Sequence, residues 1–225
     1  DETNYLIRTG SVTEYDLIAD AYSALTLLST SPRIDANRIG VVGFSYGGMA
    51  TRLAMDDRIR LALAPDHRGF ASHIDIYGPC FQKLGTKKTN GAPLLTLRGS
   101  EDASNDLEAC AERENELKSL GVDVEAIVYD GAGHAWENTH PQFFSEQSPF
   151  EGCEWNYDEK GVPLVDGERL VDYEQDATRP ERIAARLRLG ARLSDCVKYG
   201  YLIGRDEKTR GQAYADAARF LHAKL

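Results

Sequence analysis

The chain has 225 residues, 42% hydrophobic and 28% charged, enough for one domain with a sizeable core. Its formal net charge of −10 disfavours nucleic acid or an anionic membrane surface as a partner. No run of about 18 apolar residues occurs, so no segment reads as membrane-spanning, and no repeat or low-complexity tract is visible.

The first residues, DETNYLIRTG, carry neither a Met nor a signal-type segment, which reads as a processed or trimmed start. The next stretch opens with the capping-box pattern Ser11-x-x-Glu14. Leu17, Ile18, Ala21, Tyr22, Leu25 and Leu28 then recur at helical spacing, predicting a helix over about 12–30. SPRIDANR is a turn cluster, and IGVVGF is a β-branched run bounded by Gly, expected as a buried strand. SYGGMATRLAMDD follows without a break and is expected to be one helix. FASHIDIYG alternates as a strand, APLLTLRG is another, and NDLEACAERENELKSLG is a helix stopped by Gly121. VDVEAIVYDG is a fourth strand, and DEKTRGQAYADAARFLHAKL a terminal amphipathic helix.

Such alternation predicts an α/β fold with a mostly parallel sheet flanked by helices, and ligands at the carboxyl ends of the strands. A single domain over 1–225 is expected, with an excursion at about 136–199 between the last strand and the terminal helix. The excursion is polar, acidic and aromatic, and RPERIAARLRLGARLSDCVK within it predicts a helix from about 180 to 197.

Gly43-Phe44-Ser45-Tyr46-Gly47 is a G-x-S-x-G sequence standing between a predicted strand and a predicted helix. On such a turn the Ser45 hydroxyl projects above the sheet as a nucleophile, and the Tyr46 N–H faces a developing oxyanion. The alternative is a strand–helix joint whose glycines only permit close packing. A serine needs a base. Of five histidines, His134 in DGAGHAWEN follows the last strand on a Gly-rich loop, where a base belongs. His73 and His222 lie within elements and His67 in a turn, all read as structural or surface residues, while His140 could line a pocket. An imidazole needs a carboxylate to orient it. Asp102, three residues beyond Gly99, fits that place; Asp106 suits a helix start and Glu101 a solvated position. The order Ser, Asp, His is that of the α/β-hydrolases. No H-E-x-x-H, paired cysteines, phosphate loop or dinucleotide loop occurs, so no metal and no cofactor is expected.

Together, IDANRIGVVGFSYGGMA, FASHIDIYGPC, PLLTLRGSEDASNDLEAC and VEAIVYDGAGHAW resemble the dienelactone hydrolase family of the α/β-hydrolase fold. The resemblance covers roughly residues 12–136 and 200–225. It implies Ser45 as nucleophile, Asp102 as orienting acid, His134 as base and the Tyr46 N–H as one oxyanion donor. The family's founding enzymes carry a cysteine nucleophile, so Ser45 moves the expected substrate toward ordinary carboxylic esters or lactones. The family fold also places strands before the first helix found here. The expectation is therefore the C-terminal portion of such a fold, lacking its N-terminal strands, with an open edge at the first strand. The second oxyanion donor would lie elsewhere, and these residues alone would catalyse poorly. A prolyl oligopeptidase-type peptidase and a catalytically inactive binding domain remain as alternatives. Trp136 and the aromatic residues Phe143, Phe144, Trp155 and Tyr157 either cover the substrate pocket or pack the excursion onto the body.

Four cysteines are present, compatible with two disulfides or with four buried thiols. Some of the more divergent bacterial members of the family carry cysteines where Cys80 and Cys110 stand, and with that resemblance the expected pairs are Cys80–Cys110 and Cys153–Cys196. Disulfides would point to a periplasmic or secreted protein, and free thiols to a cytoplasmic one.

Overall fold

The computed structural model describes residues 12–146, 153, 155–158, 163–169, 177–192, 196 and 200–225. Helix α1 spans Glu14–Ser29. Its capping box is formed by Thr13 and Asp16, whose N–H groups and side chains bond reciprocally at 2.7 and 3.2 Å. The expected Ser11–Glu14 box does not apply: Ser11 lies outside the described residues, and Glu14 turns inward and is buried. Ile18, Tyr22 and Leu25 form the buried stripe of α1, and the Tyr22 hydroxyl donates to the Ala54 carbonyl at 2.8 Å.

Strand β1 (Gly40–Phe44) leads through Ser45 into α2 (Tyr46–Leu53). The single helix expected through Asp57 breaks at this point. A turn at residues 54–56 intervenes, and α3 (Asp57–Leu63) starts afresh with Asp56 as its N-cap. The Asp56 carboxylate accepts the Arg58 N–H at 2.8 Å, the competition from a short acidic side chain that ends one helix and starts the next.

Strands β2 (Ser72–Ile76), β4 (Leu94–Gly99) and β5 (Val124–Tyr129) complete a four-stranded sheet, all parallel, in the order β1-β2-β4-β5. β1 lies at its edge, paired with β2 among the described residues. α4 (Leu107–Ser119) ends before Gly121, whose φ of 85° is the left-handed turn expected of it. α6 (Glu207–Lys224) is capped by Asp206 and packs Ala213 and Phe220 against Ile74, Ile76, Leu95 and Leu97 on one face of the sheet. α1 and α2 cover the other face.

Strand β2 reads as alternating polar and apolar, yet all five residues are buried. Two of its polar positions, His73 and Asp75, are satisfied from α2 and from neighbouring segments. His73 Nδ1 bonds to the Thr51 carbonyl at 2.9 Å. Asp75 accepts from Arg52 at 2.5 Å, from Arg98 at 2.9 Å and from the Gly78 N–H at 2.8 Å.

The excursion is not a bare loop. β6 (Phe143–Ser145) pairs antiparallel with β10 (Tyr201–Ile203), an element too short for periodicity to reveal. β3 (Gln82–Lys83), β7 (Trp155–Tyr157), β8 (Pro163–Val165) and β9 (Glu168–Arg169) form a second small sheet, which ties the excursion to the segment after β2. Helix α5 covers Arg179–Arg192, against the expected 180–197. Cys80–Cys110 and Cys153–Cys196 are both bonded, with S–S distances of 2.05 and 1.98 Å.

Candidate active site

Ser45 occupies the turn between β1 and α2 with φ 52° and ψ −121°, a conformation that costs about 1–3 kcal/mol for a residue with a side chain. Both ends of the turn are fastened. The Ser45 N–H donates to the Ile76 carbonyl at 2.9 Å, and the Ser45 carbonyl accepts the Met49 N–H at 3.1 Å. The flanking glycines differ in their necessity. A Cβ on Gly43 would lie 2.0 Å from the Gly47 carbonyl oxygen, and one on Gly48 would lie 2.4 Å from Asp75 Oδ1. A Cβ on Gly47, the motif's second glycine, would meet nothing within 4 Å among the described residues. The crossing of helix and strand therefore demands Gly43 and Gly48.

The three sequence-predicted residues converge. Ser45 Oγ lies 2.9 Å from His134 Nε2, and His134 Nδ1 lies 2.8 Å from Asp102 Oδ2. Asp102 is 1% exposed and His134 7%, so the relay is shielded while Ser45 stays partly open. With Nδ1–H donated to the carboxylate, the Nε2 lone pair is left to accept the serine proton. Asp102 has other partners. Its Oδ1 accepts the Ser104 N–H at 3.1 Å and the Ser104 hydroxyl, and its Oδ2 accepts Asn105 Nδ2 at 2.6 Å. Ser104 Oγ also lies 3.0 Å from His134 Nδ1.

The His134 loop is held by a strap the sequence did not reveal. The His134 N–H donates to the Leu202 carbonyl at 2.7 Å, the Gly204 N–H to the His134 carbonyl at 2.9 Å, and the Leu202 N–H to the Glu101 carbonyl at 3.3 Å. β10 thus bridges the Asp102 and His134 loops. A Cβ on Gly133 would lie 2.3 Å from the Leu202 oxygen, which explains the glycine beside the histidine. Tyr77, at φ 41°, and Ala135, at φ 54°, place two further strained residues beside the site. The Tyr77 ring lies 4.7 Å from the His134 ring, and burial pushes its hydroxyl pKa far up, with Glu137 adding to the shift.

Tyr46 is the first residue of α2, so its N–H belongs to the helix terminus beside Ser45. Its hydroxyl donates to the buried Glu14 carboxylate at 2.5 Å, and Gln82 donates to the same group at 3.0 Å. Trp136 does not line a pocket. It is 1% exposed and packs edge-on against Tyr77 at 4.6 Å and Tyr129 at 5.6 Å, because the tight loop after His134 folds it back into the core.

The remaining histidines stand apart. His73 is buried under α2, and desolvation lowers its pKa to about 4. His67 Nε2 bonds Ser29 Oγ at 2.9 Å; His140 and His222 are exposed. Asp106 caps α4 by accepting the Glu108 and Ala109 N–H groups at 3.0 and 3.1 Å, and Glu101 is exposed. An open cleft of about 360 Å³, lined by Asp57, Arg60, His67, Arg68, Lys88 and Asn90 among others, lies before β2 and β4, away from the triad at the carboxyl ends. Arg60 and Lys88 there are already paired with Asp57, at 2.7 and 3.1 Å.

A strained serine at a strand–helix elbow, with acid and base following later parallel strands, is the arrangement of an α/β-hydrolase. The chain belongs to the dienelactone hydrolase family, whose model matches residues 3–162. No curated protein matches it. Similar solved structures include an esterase from the Planctomycetes species Thermogutta terrifontis with propionate bound, 20% identical with a TM-score of 0.45 over 56% of this chain and 57% of that one. An α/β hydrolase from a Medee basin deep-sea metagenome library is 19% identical with a TM-score of 0.44, over 53% and 50% of the two chains. An esterase from Pyrococcus furiosus is 18% identical with a TM-score of 0.42, over 52% and 53%. The chain thus spans little more than half the length of these structures.

Proposed function

We propose that the chain is a serine hydrolase of carboxylic esters or lactones, acting through Ser45, His134 and Asp102. The observation that carries this reading is the unbroken relay from Ser45 Oγ to His134 Nε2 at 2.9 Å and from His134 Nδ1 to Asp102 Oδ2 at 2.8 Å. Membership of the dienelactone hydrolase family supports it. Ser45 Oγ attacks the substrate carbonyl carbon as His134 Nε2 takes the hydroxyl proton. The carbonyl oxygen gains the charge, and the Tyr46 N–H is its donor from the helix terminus. When the tetrahedral adduct collapses, His134 gives that proton to the departing alkoxide and an acyl-Ser45 remains. Water then repeats the sequence and releases the acid. Asp102 holds the imidazole tautomer throughout and keeps its own charge.

The two disulfides favour an oxidising compartment, periplasmic or extracellular. The test is a panel of p-nitrophenyl esters, simple lactones and peptide anilides, assayed with the wild-type protein and with Ser45→Ala. Ester or lactone turnover that Ser45→Ala abolishes supports the reading. Turnover of peptides alone would replace it with a peptidase, and no turnover together with no fluorophosphonate adduct on Ser45 would leave the inactive binding domain.

A further inference from the structure

The segment after the acid, Ala103-Ser104-Asn105, looks in sequence like ordinary turn chemistry before a helix. Its polar side chains do something more specific. Asn105 is 3% exposed, and its amide is committed in two directions: Nδ2 donates to Asp102 Oδ2 at 2.6 Å and to the Tyr77 carbonyl at 3.1 Å. Both neighbours are acceptors, so the amide orientation is fixed, with nitrogen inward. The consequence is an Oδ1 that is buried with no hydrogen-bond partner among the described residues. Such an orphan acceptor is rare in folded proteins and costs about 1–3 kcal/mol of desolvation.

Ser104 is 4% exposed and acts on the other carboxylate oxygen. Its hydroxyl donates to Asp102 Oδ1 and stands 3.0 Å from His134 Nδ1, so that the imidazole N–H is shared between Asp102 Oδ2 and Ser104 Oγ. The Asp102 carboxylate is therefore gripped on both oxygens by its own downstream neighbours. The far end of the Asn105 grip is Tyr77, whose ring packs on the imidazole that Asp102 orients. Acid, base and the strained end of β2 are joined through one side-chain amide.

We propose that Asn105, assisted by Ser104, is a positioning residue of the site: it fixes the plane of the Asp102 carboxylate and locks it to Tyr77, and so sets the angle at which His134 meets Ser45. This rests on the triad proposed above. Both residues are buried behind Asp102, so their loss should lower kcat and spare KM. A misplacement of the base by a fraction of an ångström to about 1 Å corresponds to a loss of about 10- to 100-fold.

The experiment uses the purified protein with Asn105→Ala, Asn105→Asp, Ser104→Ala and Ser104→Thr. It measures kcat and KM on a p-nitrophenyl ester and, independently of activity, the proton NMR signal of the shielded His134 Nδ1–H, assigned by its loss in His134→Ala. Asn105→Ala and Ser104→Ala are expected to lower kcat at near-constant KM and to shift or broaden that signal. Asn105→Asp, which removes both donors and sets a carboxylate against Asp102, should be worse than alanine. Ser104→Thr, which keeps the hydroxyl, should restore most of the rate. Should Asn105→Ala not fold, the Ser104 pair carries the same comparison. Wild-type kcat and an unmoved Nδ1–H signal in the folded alanine variants would overturn the positioning role alone. A folded wild-type protein that turns over no ester or lactone and takes no fluorophosphonate adduct on Ser45 would overturn the hydrolase reading, and the NMR comparison would still decide the positioning role.

Discussion

Replacing Gly48 with alanine tests how the elbow is built. The new Cβ would lie 2.4 Å from Asp75 Oδ1 and 3.0 Å from both the Gly78 Cα and the Ile76 carbonyl oxygen. Asp75 cannot retreat: it is fully buried and held by Arg52, Arg98 and the Gly78 N–H, and Arg98 in turn lies 3.5 Å from Glu114. Overpacking alone costs about 1–3 kcal/mol, and disturbing a buried ion pair about 3–5 kcal/mol. A net loss of about 3–5 kcal/mol is expected, which for a chain of this size lowers Tm by about 6–20 °C. The matched control is Gly47→Ala one residue earlier. Its Cβ meets nothing among the described residues, and in a helix it should stabilise by about 0.5–1 kcal/mol. Urea and thermal unfolding of the two variants read the difference directly. If both lie within about 1 kcal/mol of wild type, the buried Asp75 cluster does not constrain the elbow and the reasoning fails.

Two further outcomes follow from buried groups and crosslinks. His73 is held neutral, its pKa lowered from 6.5 to about 4 by desolvation, so the unfolded chain binds the extra proton first as pH falls. Its contribution is complete above pH 6.5 and is lost between 6.5 and about 4, worth about 3 kcal/mol. The pH dependence of wild-type stability minus that of His73→Asn should show that slope; parallel curves would contradict it. The disulfides enclose segments with sequence separations of 30 and 43. Each removes about 4 kcal/mol of unfolded-state entropy in the chain-closure treatment. Non-reducing mass spectrometry should find no free thiol, and reduction should lower Tm by at least about 8 °C; an unchanged Tm would contradict the role given to the bridges.

The parallel sheet was legible because its strands are short apolar runs closed by glycine and separated by strongly periodic helices. The convergence of the candidate residues was legible for a related reason: Ser45, Asp102 and His134 each follow a strand, where this architecture gathers side chains at one end of the sheet. What escaped reading depended on tertiary partners. The polar positions His73 and Asp75 suggested a half-exposed β2, and only α2 overhead, with Thr51 and Arg52, makes them buried. β10, at three residues, is defined by its pairing with β6 and by backbone bonds to the His134 loop, for which Tyr201–Ile203 carries no periodic signal. Trp136 stayed open between pocket and packing because an aromatic beside the His134 loop looks the same in sequence whether it faces a pocket or the core, where it lies. Gly48 went unremarked because the motif names Gly47, whereas the crossing of α2 over Asp75 demands the next residue.

The most direct test of the central assignment is covalent. Treating the native protein with a fluorophosphonate and mapping the adduct by peptide mass spectrometry asks whether Ser45 is a nucleophile activated by His134. The expected result is one adduct per chain, on Ser45, absent in Ser45→Ala and strongly slowed in His134→Ala. A folded, disulfide-intact protein that takes no adduct, or that takes it equally well without His134, would contradict the assignment.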